Sequence, residues 1–166
     1  MDPATVGQSL AIQFAYSDWT FRTNLEGLST AESLQPPATG GNCLNWVVGH
    51  VLAARNHILA LLGEPPALAP AVAQRFERGS EPLRDPAAAL DLDEARAVFR
   101  DAQERILAGL QRLTPEQLAA AAPFSPGNRP DETVGSLLLG MVWHEAYHVG
   151  QLGVLRRVAG HPGGIA

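Results

Sequence analysis

Residues 133–159 read TVGSLLLGMVWHEAYHVGQLGVLRRVA, and Gly160 and Pro162 follow. Threonine is a favoured helix cap, and glycine followed closely by proline is a common stop, so the stretch predicts one long helix from Thr133 to about Ala159. Inside it Leu137, Met141, His144, His148, Gln151 and Leu155 recur in alternating four- and three-residue steps. That is the seam spacing of a helix packed into a bundle, so these six positions are expected to face inward.

Upstream, the same helical logic applies three more times. Leu10, Phe14, Phe21, Leu25 and Leu28 predict a first helix from about Val6 to Leu28, which the segment QPPATGG (residues 35–41) ends. Asn42 is placed to cap a second helix, whose inner face carries Trp46, Val47, His50, Ala54, His57 and Leu61 and which stops at Gly63, Pro65 and Pro66. Residues 64–86 are rich in proline and poorly periodic, which predicts a long crossover with a short helical piece near 71–77. A third helix starts near Asp91, where Asp91 and Glu94 have capping spacing, and continues through Ala95, Val98, Phe99, Ala102, Ile106 and Leu110. Thr114 opens a short extra turn, and residues 124–131 form a loop. With no strand pattern, the expected fold is an all-α four-helix bundle with a long crossover between helices two and three.

A length of 166 residues, 46% of them hydrophobic, suits one domain spanning residues 1–166. The charged fraction of 17% is low enough to leave apolar surface for a second copy of the chain. A net charge of -5 and scattered arginines argue against nucleic acid as a partner. All 12 basic residues are arginine, so Schiff-base, pyridoxal phosphate and phosphate-loop chemistry, which need lysine, drop out. The lone Cys43 cannot form an internal disulfide, the N-terminus MDPATVGQSL has no secretory pattern, and no apolar run is long enough to span a bilayer. The expected compartment is the cytoplasm, with no membrane contact.

The chemistry lies in the histidines. On a helix, His144 and His148 differ by about 40° in direction and about 6 Å in height, close enough to share one ion. An isolated histidine on an apolar face is ordinarily a hydrogen-bonded core residue. Three on two inner seams are another matter, because ordinary packing asks for no imidazole there. His50, His144 and His148 therefore form a candidate open site for a divalent metal.

These residues carry a resemblance to a known family. Asn45-Trp46-Val47-Val48-Gly49-His50 and His144-Glu145-Ala146-Tyr147-His148-Val149-Gly150-Gln151 resemble the paired signatures of the DinB/YfiT-like metalloproteins, at helix-length separation. The resemblance implies an up-down-down-up bundle, a divalent ion (zinc or nickel first, iron or manganese next) on His50, His144 and His148, and a homodimer. It further implies a small-molecule substrate: members include bacillithiol S-transferases and a mycothiol-dependent maleylpyruvate isomerase, in which the metal activates a low-molecular-weight thiol.

A literal rival is the H-E-x-x-H pattern of zinc proteases, satisfied by residues 144–148, with Glu145 as general base. The third histidine lies upstream and no strand is available to seat a peptide, so Glu145 is only a weak catalytic candidate; a solvated glutamate is the ordinary alternative. His57 lies about 10.5 Å along the axis from His50, too far to share its ion, and either lines the cavity or is exposed. Gln151 is a hydrogen-bond partner for a ligand histidine or a polar seam residue. Cys43 is a thiol activated in the first turn of helix two or a small buried residue. Trp46, Trp143 and Tyr147 wall a cavity or pack the core, and Arg55 and Arg156 meet a carboxylated substrate or are solvated.

The function expected is thus a metal-dependent S-transferase joining a small thiol to an electrophile. A metal-dependent hydrolase and a non-catalytic, stress-associated metal-binding dimer are the alternatives.

Overall fold

In the computed structural model, which describes residues 3–165, the predicted helices form and a long crossover joins the second to the third. The long helices are α1 (Pro3–Leu25) and α2 (Leu44–Leu61), then α4 (Leu92–Leu110) and α6 (Val134–Val158). Two short ones, α3 (Pro70–Ala73) and α5 (Pro115–Ala119), lie in the connections. No strand is present among the described residues, only an isolated bridge from Ala121 to Thr133. None of the described helices is long and apolar enough to cross a membrane.

The boundaries follow local chemistry. Thr133 and Ser136 form a reciprocal capping box at the start of α6, and Thr114 and Gln117 do the same for α5. Asp91 accepts from the backbone amides of Asp93 and Glu94 at 2.9 and 3.0 Å, tying down two otherwise unpaired donors of α4. The expected Asn42 cap is not used. The chain turns through Gly40 and Gly41, both left-handed at φ +86° and +103°, and the cap position falls one residue later, on Cys43, with no side-chain cap bond.

α1 packs against α4 and α6, and α2 packs against the same two, so α1 and α2 stand on a diagonal. The crossover covers the remaining side of α2, and every residue from Leu44 to Arg55 is buried. Asn45 ties the last residues of that crossover to the connection between α1 and α2: its side-chain amide donates to Ser33 Oγ and to the Leu90 carbonyl, and its oxygen accepts from the Leu90 amide. Two apolar clusters fill the interior, one around Phe21, Val48, Phe76 and Phe99, the other around Phe14, Ile58, Ile106 and Leu138.

α6 departs from the sequence reading in its rotation. Of the expected seam Leu137, Met141 and Leu155 are buried, but the row buried without a break is Leu138, Val142, Glu145, Val149, Leu152 and Arg156, one residue on and with the same alternating steps. Moving one residue turns the face by about 100°. The stripe holding His144, His148 and Gln151 is therefore the half-buried margin of the packed face, and the helix presents it to a cavity.

Candidate metal centre

His50 is held from both sides. Its ring stacks on Trp46, one turn earlier in α2, with centroids 5.0 Å apart and planes 14° apart. Its Nδ1 donates to the carbonyl of Phe76 at 2.6 Å. A carbonyl oxygen only accepts, so the ring proton sits on Nδ1 and Nε2 presents a bare lone pair. Phe76 is fully buried against Gly49; a Cβ built on that glycine would lie 2.4 Å from the phenyl ring. The glycine before His50 thus admits the aromatic ring whose backbone orients the histidine. Sequence reading missed Phe76, and its only available signal was an aromatic within the expected short helical piece of the crossover.

His144 and His148 project from successive turns of α6, with ring centroids 4.4 Å apart and 5.0 and 4.6 Å from His50. The Nε2 atoms of His50 and His144 are 3.1 Å apart, and one nitrogen from each of the three rings lies within 4.8 Å of the others. His148 Nδ1 donates to Gln151 Oε1 at 2.7 Å, which leaves its Nε2 bare as well. Gln151 is therefore a hydrogen-bond partner of a candidate ligand.

Burial, with the charges of His148, His50 and His57 adding to it, lowers the His144 pKa from 6.5 to about 4. His148 is also lowered, chiefly by burial; its bond to Gln151 opposes the shift and the charge of His50 reinforces it. The neutral imidazole, the form that ligates metal, is thereby favoured. His144 Nδ1 is buried without a partner among the described residues, so this ring's one engaged nitrogen is the one facing His50. A tetrahedral ion about 2.0–2.1 Å from each nitrogen would hold them about 3.3 Å apart, which the observed His50–His144 pair approaches. The donor set suits zinc or another borderline divalent ion.

The remaining candidates separate from this cluster. Glu145 does not join the histidines as a general base and is not solvated: it is 1% exposed and turns into the core, where both its oxygens are bound by Arg55, Nε and Nη2 each at 2.8 Å. Arg55, expected at a substrate or in solvent, is fully buried. It also donates to the Phe99 carbonyl and Gln103 Oε1 and lies 3.4 Å over the Phe99 ring, which stacks on Phe21. A helix has one direction per residue, and the 100° between His144 and Glu145 sends them to different neighbours. Arg156 likewise meets backbone, not substrate, donating to the carbonyls of Pro162, Asn24 and Glu26. His57 pairs with Glu77 at 3.2 Å, and Cys43 is buried in the core.

Beside the histidines opens a cavity of about 790 Å³, walled by Trp46, Trp143 and Tyr147, with Gln151, Asn42 and Arg78 among its polar lining. The aromatic residues therefore serve as walls, and Trp143 and Tyr147 remain largely exposed on their outer sides.

No curated protein matches the sequence. Among solved structures, the chain is similar to a conserved protein from Enterococcus faecalis, at 19% identity and a TM-score of 0.70, covering 96% of this chain and 98% of that one, which is a likeness of fold. The family model described as the DinB superfamily matches residues 16–152, a span that includes all three histidines. With His50 and the His144–His148 pair in place within that span, the chain belongs to the DinB superfamily.

Proposed function

We propose that His50, His144 and His148 hold one divalent cation, zinc or nickel in preference to iron or manganese. We read the protein as a metal-dependent S-transferase that joins a low-molecular-weight thiol to a small electrophile. One observation carries this reading: three imidazoles converge at the edge of a cavity, and no fourth protein donor joins them among the described residues. Structural zinc sites are usually closed by four protein ligands, whereas three leave a place for an exchangeable ligand. A cation there would supply the charge that keeps a thiol ionised near neutral pH.

The chain's own residues do the positioning. Phe76 and Gln151 fix the tautomers of His50 and His148, so that Nε2 faces the site in both. Trp46, Trp143 and Tyr147 give an apolar enclosure in which a small organic molecule sheds water. Cys43, buried in the core, is not used as a nucleophile. Hydrolysis of an ester or amide is the weaker alternative, because Glu145 is committed to Arg55 and no carboxylate lines the cavity.

The same reading includes an up-down-down-up order of the four long helices, supported by the diagonal placement of α1 and α2 and the long crossover after α2. It includes a homodimer as well. Ile12, Tyr16 and Trp19 of α1 and Leu139, Trp143 and Tyr147 of α6 are exposed on two adjacent helices, an apolar surface that a second copy would cover. Sedimentation equilibrium of the protein and its Trp19→Glu and Leu139→Glu variants tests this; a wild-type monomer at all concentrations removes it.

Elemental analysis of the purified protein and its His50→Ala and His148→Ala variants tests the site, followed by turnover of an electrophilic dye with a panel of small thiols. About one ion per chain is expected, lost in both variants together with thiol-dependent turnover. Turnover that needs only water would favour the hydrolase. A bound ion with no turnover of either kind would favour a non-catalytic metal-binding role.

A further inference from the structure

Arg78 enters the metal cavity from the crossover, on a segment fixed at three points. The Phe76 carbonyl accepts from His50 at 2.6 Å, Glu77 pairs with His57 at 3.2 Å, and Trp46 Nε1 donates to Ser80 Oγ at 3.2 Å. Gly79, at φ +87°, turns the backbone between the last two anchors. The backbone at residue 78 is therefore held against α2, while the side chain itself is exposed at the cavity.

Among the described residues, the Arg78 guanidinium has neither a hydrogen bond nor an ion pair. Most arginines of this chain are otherwise engaged: Arg22, Arg55, Arg96, Arg105 and Arg112 each meet a carboxylate, and Arg75 and Arg156 meet backbone carbonyls. The nearest acid in sequence, Glu77, is taken by His57, and no Asp or Glu lines the cavity. Among the described residues, Arg78 is thus the unpaired arginine of a largely apolar, aromatic enclosure, separate from any ion the histidines would hold, in a protein whose net charge is -5. A guanidinium fork matches a carboxylate bidentately.

We infer that the ligand of this cavity is an organic carboxylate, with its apolar body between Trp46 and Tyr147 and its acid group on Arg78, which acts as a specificity residue. The inference rests on the S-transferase reading only in assigning the acid group to the thiol.

The test uses the full chain loaded with cobalt(II), whose thiolate charge-transfer absorption reports thiol binding directly. The ligands are 3-mercaptopropionate and the uncharged, similarly sized 3-mercapto-1-propanol. The carboxylate is expected to bind about tenfold more tightly, as for one hydrogen-bonded charged pair. That preference should fall to about parity in Arg78→Gln and survive in part in Arg78→Lys. Equal binding of the two thiols to the wild type, or an undiminished preference in Arg78→Gln, overturns the inference, the second outcome meaning that the acid is read elsewhere. If neither thiol gives the absorption band, the thiol reading fails by itself. The carboxylate is then tested with 3-phenylpropionate against 3-phenyl-1-propanol by calorimetry. A preference lost in Arg78→Gln upholds the role of Arg78, and its absence from the wild type sinks it.

Discussion

Arg55 of α2 grips Glu145 of α6 through two 2.8 Å bonds in an interior where the two side chains are 0% and 1% exposed. Arg55 lies five positions after His50 and Glu145 directly follows His144, so the ion pair and the metal centre tie the same two helices at neighbouring levels. Phe99 and Gln103 of α4 complete the network and connect the third helix. A fully satisfied polar group of this kind fixes the helices' relative rotation, because any slip would leave charges unpaired in the core.

Removing one partner should be severe. Glu145→Ala is expected to lose about 3–5 kcal/mol of unfolding free energy, because Arg55 keeps its charge without a counter-ion. The double variant Arg55→Met with Glu145→Met should recover much of that loss, as buried pairs replaced by apolar groups often do. Urea unfolding of the three proteins is the measurement. A Glu145→Ala protein as stable as the wild type would mean that the pair does not form as described.

Gly49→Ala adds a single carbon 2.4 Å from the Phe76 ring. Overpacking of this sort typically costs about 1–3 kcal/mol. The ring must shift, and the carbonyl that orients His50 shifts with it. Weaker metal binding should therefore accompany the loss of stability, measured by competition with a chromophoric chelator. Unchanged affinity in a destabilised variant would separate Phe76 from the site.

Gln151→Leu removes the acceptor for His148 Nδ1 and leaves the ligand set itself intact. A loss of about tenfold or more in metal affinity is expected from such second partners. Since Gln151 is only half-buried, the thermal midpoint of the metal-free protein should move little. An affinity equal to wild type would show that packing alone holds the ring.

The metal-free protein should weaken in mild acid. His144 titrates near 4 when folded and near 6.5 when unfolded, and His148 is displaced in the same direction. Between those values the unfolded chain binds more protons, so stability rises with pH across this window and falls as pH drops from about 6.5 toward about 4. Above about 6.5 both states are neutral and these groups contribute no slope. Thermal melts in chelator across this range should show the decline, and His144→Ala should flatten it; identical slopes would assign the acid sensitivity elsewhere.

Much of the architecture is legible along the chain. The helices, the Thr133 and Asp91 caps and the position of the crossover follow from local propensity and from steps of three and four residues. His144 and His148 share a direction on any helix, and the Gly49-His50 pair marked the third histidine. What could not be read is which of two equivalent registers in α6 lies at the centre of the packing. The seams 137/141/144/148/151/155 and 138/142/145/149/152/156 have identical spacing, and the second contains a glutamate and an arginine, whose chemistry argues for solvent.

Only the assembled helices decide between them. Glu145 is buried because Arg55 waits on α2 with the geometry to pair it, and Arg55 is buried because Phe99 and Gln103 on α4 supply the rest of its partners. The acceptor for His50 is a backbone carbonyl 26 residues away, and a carbonyl is present at every position of every sequence. Periodicity is a property of one segment and survives without neighbours. Burial of a charge and the choice of a tautomer depend on partners from distant segments, and those were settled only when the tertiary fold brought them together.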